Sequence, residues 1–175
     1  SRVKYDGTAQ VAAASGLTLG TPAASTSGTS IAFTGIPSGT KQVVINFNTV
    51  STNGTDNKFI QIGDSGGIET TGYKSTSFRS QDSTVSTGQQ TVGFLIRAVT
   101  IANQMSGSVT LNLVNATTNT WTATGLLTDS DQATFSYTFS TAGIKSLSAV
   151  LDRVRITTQG GTDAFDLGEI NIAYI

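Results

Sequence analysis

Two residue types are missing outright from this 175-residue chain, cysteine and histidine. Without cysteine there is no disulfide framework, no thiolate nucleophile and no zinc–thiolate site. Without histidine the chain loses the usual general base at neutral pH and the commonest metal ligand. The two absences together exclude hydrolase mechanisms built on Ser–His or Cys–His pairs. Charge is scarce as well. Charged residues make up 12% of the chain and its net charge is −1, against an ordinary charged share of about 25%. Nucleic acid is therefore not an expected partner, because a phosphate backbone is bound through clustered Lys and Arg. No polybasic or amphipathic stretch suits a membrane surface. No run reaches the roughly 18 apolar residues that read as a membrane span. The first sixteen residues lack a continuous apolar core of signal-peptide kind. The chain opens on Ser1 rather than Met, which fits a processed protein or a fragment of a longer one.

In place of charge the chain carries 30 Thr, 20 Ser and 19 Gly. Threonine suits pleated strands, and glycine and serine suit turns, so the composition is that of a β protein. The length fits one domain with a real core. Residues 1–29 are small and polar and read as an extended lead-in with at most a short strand. Residues 30–175 read as the folded domain.

Strand signals are regular from Ser30 onward. Ile31 and Phe33 alternate with polar neighbours. Residues 41–50 place Val43, Ile45, Phe47 and Thr49 on one face. Asn53-Gly54 predicts a tight hairpin turn leading to a return strand at residues 59–62. Residues 68–91 read as a polar surface excursion with a strand near Tyr73 and Phe78. Residues 93–99 form an apolar run expected to be buried on both faces apart from Arg97. Residues 107–114 alternate, with Val109, Leu111 and Leu113 on one side. Trp121 and Ala123 begin another strand. Phe135, Tyr137 and Phe139 mark the next, followed by a turn at residues 141–143 and a strand over 145–151. Residues 147–175 predict a closing hairpin about Gly160-Gly161, with Arg155 opposite Phe165 or Asp166 and the charges acting as cross-strand partners. About ten strands and no helix point to a single-domain, jelly-roll-like antiparallel β-sandwich.

Three stretches carry a resemblance. Residues 30–55 (SIAFTGIPSGTKQVVINFNTVSTNGT), 59–73 (FIQIGDSGGIETTGY) and 151–174 (LDRVRITTQGGTDAFDLGEINIAY) resemble a β-sandwich module of tailed-phage and prophage proteins. Such modules often sit at the C-terminus of tail-fibre-like virion proteins. The resemblance implies a non-enzymatic virion protein and a homo-oligomer, a trimer by analogy with fibres. Its expected partners are other virion subunits and a host-surface glycan. The alternatives are a structural head-decoration, head-fibre or collar protein, and a polysaccharide-degrading tailspike part.

The residues themselves offer three chemistries. A glycosidase needs a carboxylate pair; the candidates are Asp56, Asp64, Glu69, Asp82, Asp129, Asp131, Asp152, Asp163, Asp166 and Glu169. Most fall in turns, where Asp serves the backbone. The loops at Asp129-Ser130-Asp131 and Asp64-Ser65-Gly66-Gly67 lack calcium-loop spacing, so no metal and no cofactor is expected. Sugar binding asks for exposed aromatic platforms beside amides and hydroxyls. Tyr73, Phe78 and Trp121 are the candidates.

Overall fold

Period-two alternation gives each strand one face to bury, and two sheets laid face to face bury those faces against each other. The computed structural model describes residues 16–81, 83–101, 103–131 and 137–175. Its strands are β1 (Thr18–Leu19), β2 (Ala23–Ala24), β3 (Ser30–Thr34), β4 (Gln42–Thr52), β5 (Lys58–Asp64), β6 (Gly67–Ile68) and β7 (Lys74–Gln81). They continue as β8 (Thr84–Gln90), β9 (Phe94–Ile96), β10 (Met105–Asn115), β11 (Thr120–Asp129), β12 (Tyr137–Ser146), β13 (Arg153–Thr158) and β14 (Phe165–Tyr174). The large sheet runs β1-β14-β4-β10-β11-β12-β7-β8, with β2 also on β14. The small sheet runs β3-β13-β5-β6, with β9 also on β5. The pairings are antiparallel throughout the described residues. The core lies between the sheets. Val43, Ile45, Phe47, Val109, Leu111, Trp121, Phe139 and Ile172 come from the large sheet, and Ile60, Ile62, Val154 and Ile156 from the small one. The chain is the expected antiparallel sandwich, jelly-roll-like in passing from sheet to sheet between β3, β4 and β5 and again between β12, β13 and β14.

That crossing corrects two expectations. Neither Asn53-Gly54 nor Gly160-Gly161 closes a hairpin. β4 and β14 lie in the large sheet, while β5 and β13 lie in the small one. Alternation showed that each strand buries one face, but two strands joined by a short turn satisfy it equally well in one sheet or across two. Arg155 accordingly stands opposite Ala32 and Gln61, not Phe165 or Asp166. A third correction concerns residues 141–143, where no turn occurs and β12 runs through in register with β11. Gly143 is needed there for closeness. A Cβ on it would lie 2.8 Å from the Lys74 carbonyl oxygen and from Phe94. Thr49 leaves the predicted face of β4. It takes a left-handed φ of 52°, its N–H reaches Ser106 Oγ at 2.9 Å, and Val50 enters the core instead. Residues 16–29 hold two short strands rather than one, both on β14. Phe135 lies outside the described residues.

The two crossovers run side by side and are bonded to each other. Asn53 N–H donates to the Ala164 carbonyl and Ala164 N–H to Asn53 Oδ1, both at 2.9 Å. Asp56 N–H donates to Asp163 Oδ2 at 2.9 Å, and Gly160 N–H to Asp56 Oδ2 at 2.6 Å. Gln159 N–H reaches the Asn57 carbonyl at 2.8 Å. Gly54 has no positive φ; its role is space, since a Cβ there would sit 2.1 Å from the Asp163 carboxyl carbon. Lys58 completes the lock from within. It is 1% exposed, and its ammonium donates to the Asp56 carbonyl at 2.9 Å and the Ala98 carbonyl at 3.0 Å. Burial pushes its pKa from 10.5 down to about 8, against the opposing pull of Asp163, Asp56 and Asp166.

The polar stretch after β6 is also more regular than expected. It forms the β7–β8 hairpin, which extends the large sheet. Its alternation is hidden because its inward residues are Ser75 and Ser77, both 4% exposed. These serines have work to do. Among the described strands β9 has β5 as its one ladder partner, and Leu95 N–H donates to Ser75 Oγ at 2.8 Å and Arg97 N–H to Ser77 Oγ at 3.0 Å. Each hydroxyl then donates to a β12 carbonyl, of Ala142 or Ser140. The serines thus tie the β9 edge of the small sheet to the large sheet.

Ser75→Ala leaves the buried Leu95 N–H unpaired and is expected to cost about 1–3 kcal/mol; urea unfolding of the variant measures it. The Lys58 shift predicts a pH dependence. The native pKa lies below the unfolded value, so between pH 8 and 10 the unfolded chain binds the proton more readily. Stability therefore rises with pH through that window, and falls as pH drops toward 8. Unfolding free energies at pH 8, 9 and 10 should show the rise, and Lys58→Met should flatten it.

Candidate functional site

The three aromatic candidates divide sharply in the fold. Trp121 is 2% exposed. It sits on the inward face of β11, where alternation with Thr120 and Thr122 turns it into the core. Tyr73 is 1% exposed, at the entry to β7. Its ring meets Phe94 edge-on with centroids 5.0 Å apart. Its hydroxyl accepts the Ile62 N–H at 2.8 Å and lies 2.9 Å from the Glu69 carbonyl and 3.2 Å from the Ile62 carbonyl. Burial pushes its phenol well above the usual range. Neither ring is open to a ligand, and both are corrected from platform to core. The polar sequence around Tyr73 suggested solvent, but the side chain turns inward just before the serines of β7 do.

Phe78 is different. It lies on the outward face of β7 and is 38% exposed. Its cross-strand partner on β8 is Thr87, and its N–H donates to Ser140 Oγ of β12 at 3.0 Å. Around it runs a cleft of about 530 Å³ whose walls include Thr76, Thr87, Gln89, Ser140 and Ala142. A neighbouring depression of about 650 Å³ shares Thr76, Gln89 and Ala142 and extends to Lys74. The register explains the shared walls, because Ala142, Thr76 and Gln89 stand in one row across β12, β7 and β8. The surface offers one aromatic face, several hydroxyls, a primary amide and one ammonium at the far end. An aromatic face beside uncharged hydroxyls and an amide is chemistry able to stack on and hydrogen-bond to a neutral polyhydroxyl compound. Sequence patterning missed Thr76, Thr87, Gln89 and Ser140 because small polar residues on a strand carry no chemical signature. Only pairing with Phe78 across β8 and β12 makes them a surface.

The carboxylates are absorbed by structure. Asp56, Asp163 and Asp166 belong to the crossover lock or its margin, with the Ser51 hydroxyl donating to Asp166. Asp129 is 1% exposed and accepts from Asn103 Nδ2 at 2.7 Å and Gln104 N–H at 3.0 Å. Its Oδ1 also takes the Asp131 N–H at 3.2 Å. Asp152 pairs with Arg153 at 2.6 Å. Glu169 accepts from Asn48 at 3.1 Å. Asp82 lies outside the described residues.

Two of the candidate carboxylates, Asp64 and Glu69, are brought close together. They share the Ser148 hydroxyl, at 2.7 and 2.8 Å. Glu69 also takes the Ser148 N–H and ion-pairs with Lys145, whose ammonium lies 5.5 Å from the Tyr73 ring centroid. The Ser148 hydroxyl, with the Gly66 N–H, holds Asp64 below its usual range. For Glu69 burial pushes upward, but the Lys145 and Ser148 donors outweigh it and the carboxyl is held low. Both are thereby kept ionised, whereas a glycosidase acid must hold its proton at working pH. Among the described residues no group of three or more Asp or Glu is arranged to hold a metal ion. A further groove of about 440 Å³ lies on the small sheet, where Arg155 is occupied by Gln61 Oε1 at 2.6 and 3.0 Å.

Tyr73→Phe removes a hydroxyl that serves the buried Ile62 N–H. It should cost about 1–3 kcal/mol of stability, read by urea unfolding.

No family model, no curated protein and no solved structure matches the chain.

Proposed function

We propose that this chain is a non-enzymatic module of a tailed-phage virion, of tail-fibre or tail-tip type, and that it recognises a host-surface glycan. The virion assignment rests on the resemblance carried by residues 30–55, 59–73 and 151–174. The observation that carries glycan recognition is the Phe78 cleft. An exposed ring on a rigid strand supplies the stacking face, and Thr76, Thr87, Gln89 and Ser140 supply donors and acceptors without net charge. Sugars present alternate apolar C–H faces and hydroxyl rims, and a site of one aromatic plus a few placed polar groups suits them. The donors that hold the Asp64 and Glu69 carboxyls below their usual range support binding over hydrolysis at this pair.

A specific observation favours the structural alternative. Leu126 and Ile144, 61% and 41% exposed, lie on the same outer face of the large sheet. Apolar residues there suit a neighbouring subunit of the particle.

Purified chain screened against bacterial surface polysaccharides separates the two. Binding of at least one polysaccharide is expected, and Phe78→Ala should weaken it by tenfold or more. Its unfolding free energy should change by less than about 1 kcal/mol, because the ring is partly exposed. Absence of any binding to host polysaccharide or host cells would favour the structural reading.

A further inference from the structure

Strands at the edge of a sheet expose unpaired N–H and C=O groups that will accept another strand. Among the described strands most edges of this sandwich are covered or short. The β14 edge of the large sheet is covered by β1 and β2. The β9 edge of the small sheet gives its Leu95 and Arg97 N–H groups to Ser75 and Ser77. β6 is two residues long. β3 has five residues and borders a groove walled by Leu19, Gly20, Thr21 and Ala23. β8 is the longest strand left at an edge. It is seven residues long, and β7 is its one partner among the described strands.

β8 also lacks the usual guards against pairing. Thr84–Gln90 contains no proline and no charged residue. Its register with β7 runs unbroken from Ser75↔Gln90 to Gln81↔Thr84, so no bulge twists it away. Gly88 lets it lie close over β9, since a Cβ there would meet Leu95 at 2.9 Å and Arg97 at 3.2 Å.

We propose that this edge pairs antiparallel with β8 of a second copy, about a two-fold axis at Thr87. The strand fits itself in that arrangement. Thr87 meets Thr87, Ser86 meets Gly88 and Val85 meets Gln89, so no like charges face each other. Antiparallel self-pairing is isologous, uses both free edges and stops at two copies. It replaces the trimer expected by analogy with fibres. A two-fold axis normal to the sheet keeps the outer faces on one side. The two β7 strands then lie three strand spacings apart, about 14 Å, and the two Phe78 clefts open side by side. This pairing deepens the glycan reading by making the site bivalent, and that consequence rests on that reading; the pairing itself does not.

The test uses the whole chain without any glycan. Light scattering or sedimentation should give twice the 18.0 kDa chain mass. The absence of native cysteine makes the register readable. Thr87→Cys should form a covalent dimer under mild oxidation, because directly opposed residues bring their Cβ atoms within about 5.5 Å. Val85→Cys, displaced four residues from its own symmetry mate, should not. A monomer, a trimer, or equal cross-linking at both positions would overturn the proposal. None of these results bears on whether a single chain binds polysaccharide, and loss of binding in Phe78→Ala says nothing about β8.

Discussion

The bonded pair of crossovers is the constraint on which the rest of this structure depends. A sandwich whose chain changes sheet twice in this region needs each crossing segment to satisfy its backbone groups away from either ladder. Here each satisfies the other. Asn53 and Ala164 exchange two hydrogen bonds, Asp163 takes the Asp56 N–H, and Asp56 takes the Gly160 N–H. Gly54 makes the approach possible by having no side chain where Asp163 stands. The cost of the arrangement falls on Lys58, which is buried among these carbonyls and carboxylates with its pKa lowered to about 8. Locking the crossings sets β5 and β13 against each other in the small sheet and β4 and β14 in the large one.

From that frame the opposite end of the large sheet follows. β10, β11 and β12 build outward from β4, and the β7–β8 hairpin is added last. Its inward positions meet the edge strand β9 rather than the apolar core, so serine serves better there than valine. The outward positions are thereby free to form a surface, and Phe78 stands in it between β8 and β12. The cleft and the open β8 edge are two consequences of one construction: a polar hairpin closes the β9 side of the small sheet, and among the described strands its own outer strand pairs with β7 alone.

Alternation was enough to predict β3, β4, β10 and β11 and the all-β sandwich, because burial on one face leaves a period-two trace. It misled where the deciding contact lay far along the chain. Asn53-Gly54 and Gly160-Gly161 have hairpin chemistry, but their meaning depends on each other across more than a hundred residues. Gly143 resembles a turn residue until Lys74 and Phe94 are seen pressing on it. Of the candidate surface, only the exposed Phe78 was singled out in the sequence. Tyr73 and Trp121 were misread for opposite reasons. The polar surroundings of Tyr73 concealed a buried hydroxyl with three backbone partners, and Trp121, at the start of a predicted strand, lies on the inner face of β11.

A double-mutant cycle on Gly54 and Asp163 tests the account most directly. Gly54→Ala, Asp163→Ala and the double variant are unfolded in urea. If the crossovers are locked as described, the added methyl displaces the Asp163 carboxylate and breaks its bond to Asp56. Gly54→Ala should then be costly alone but much cheaper once Asp163 is alanine, with a coupling of about 1 kcal/mol or more. Costs that add to within about 0.5 kcal/mol would contradict it.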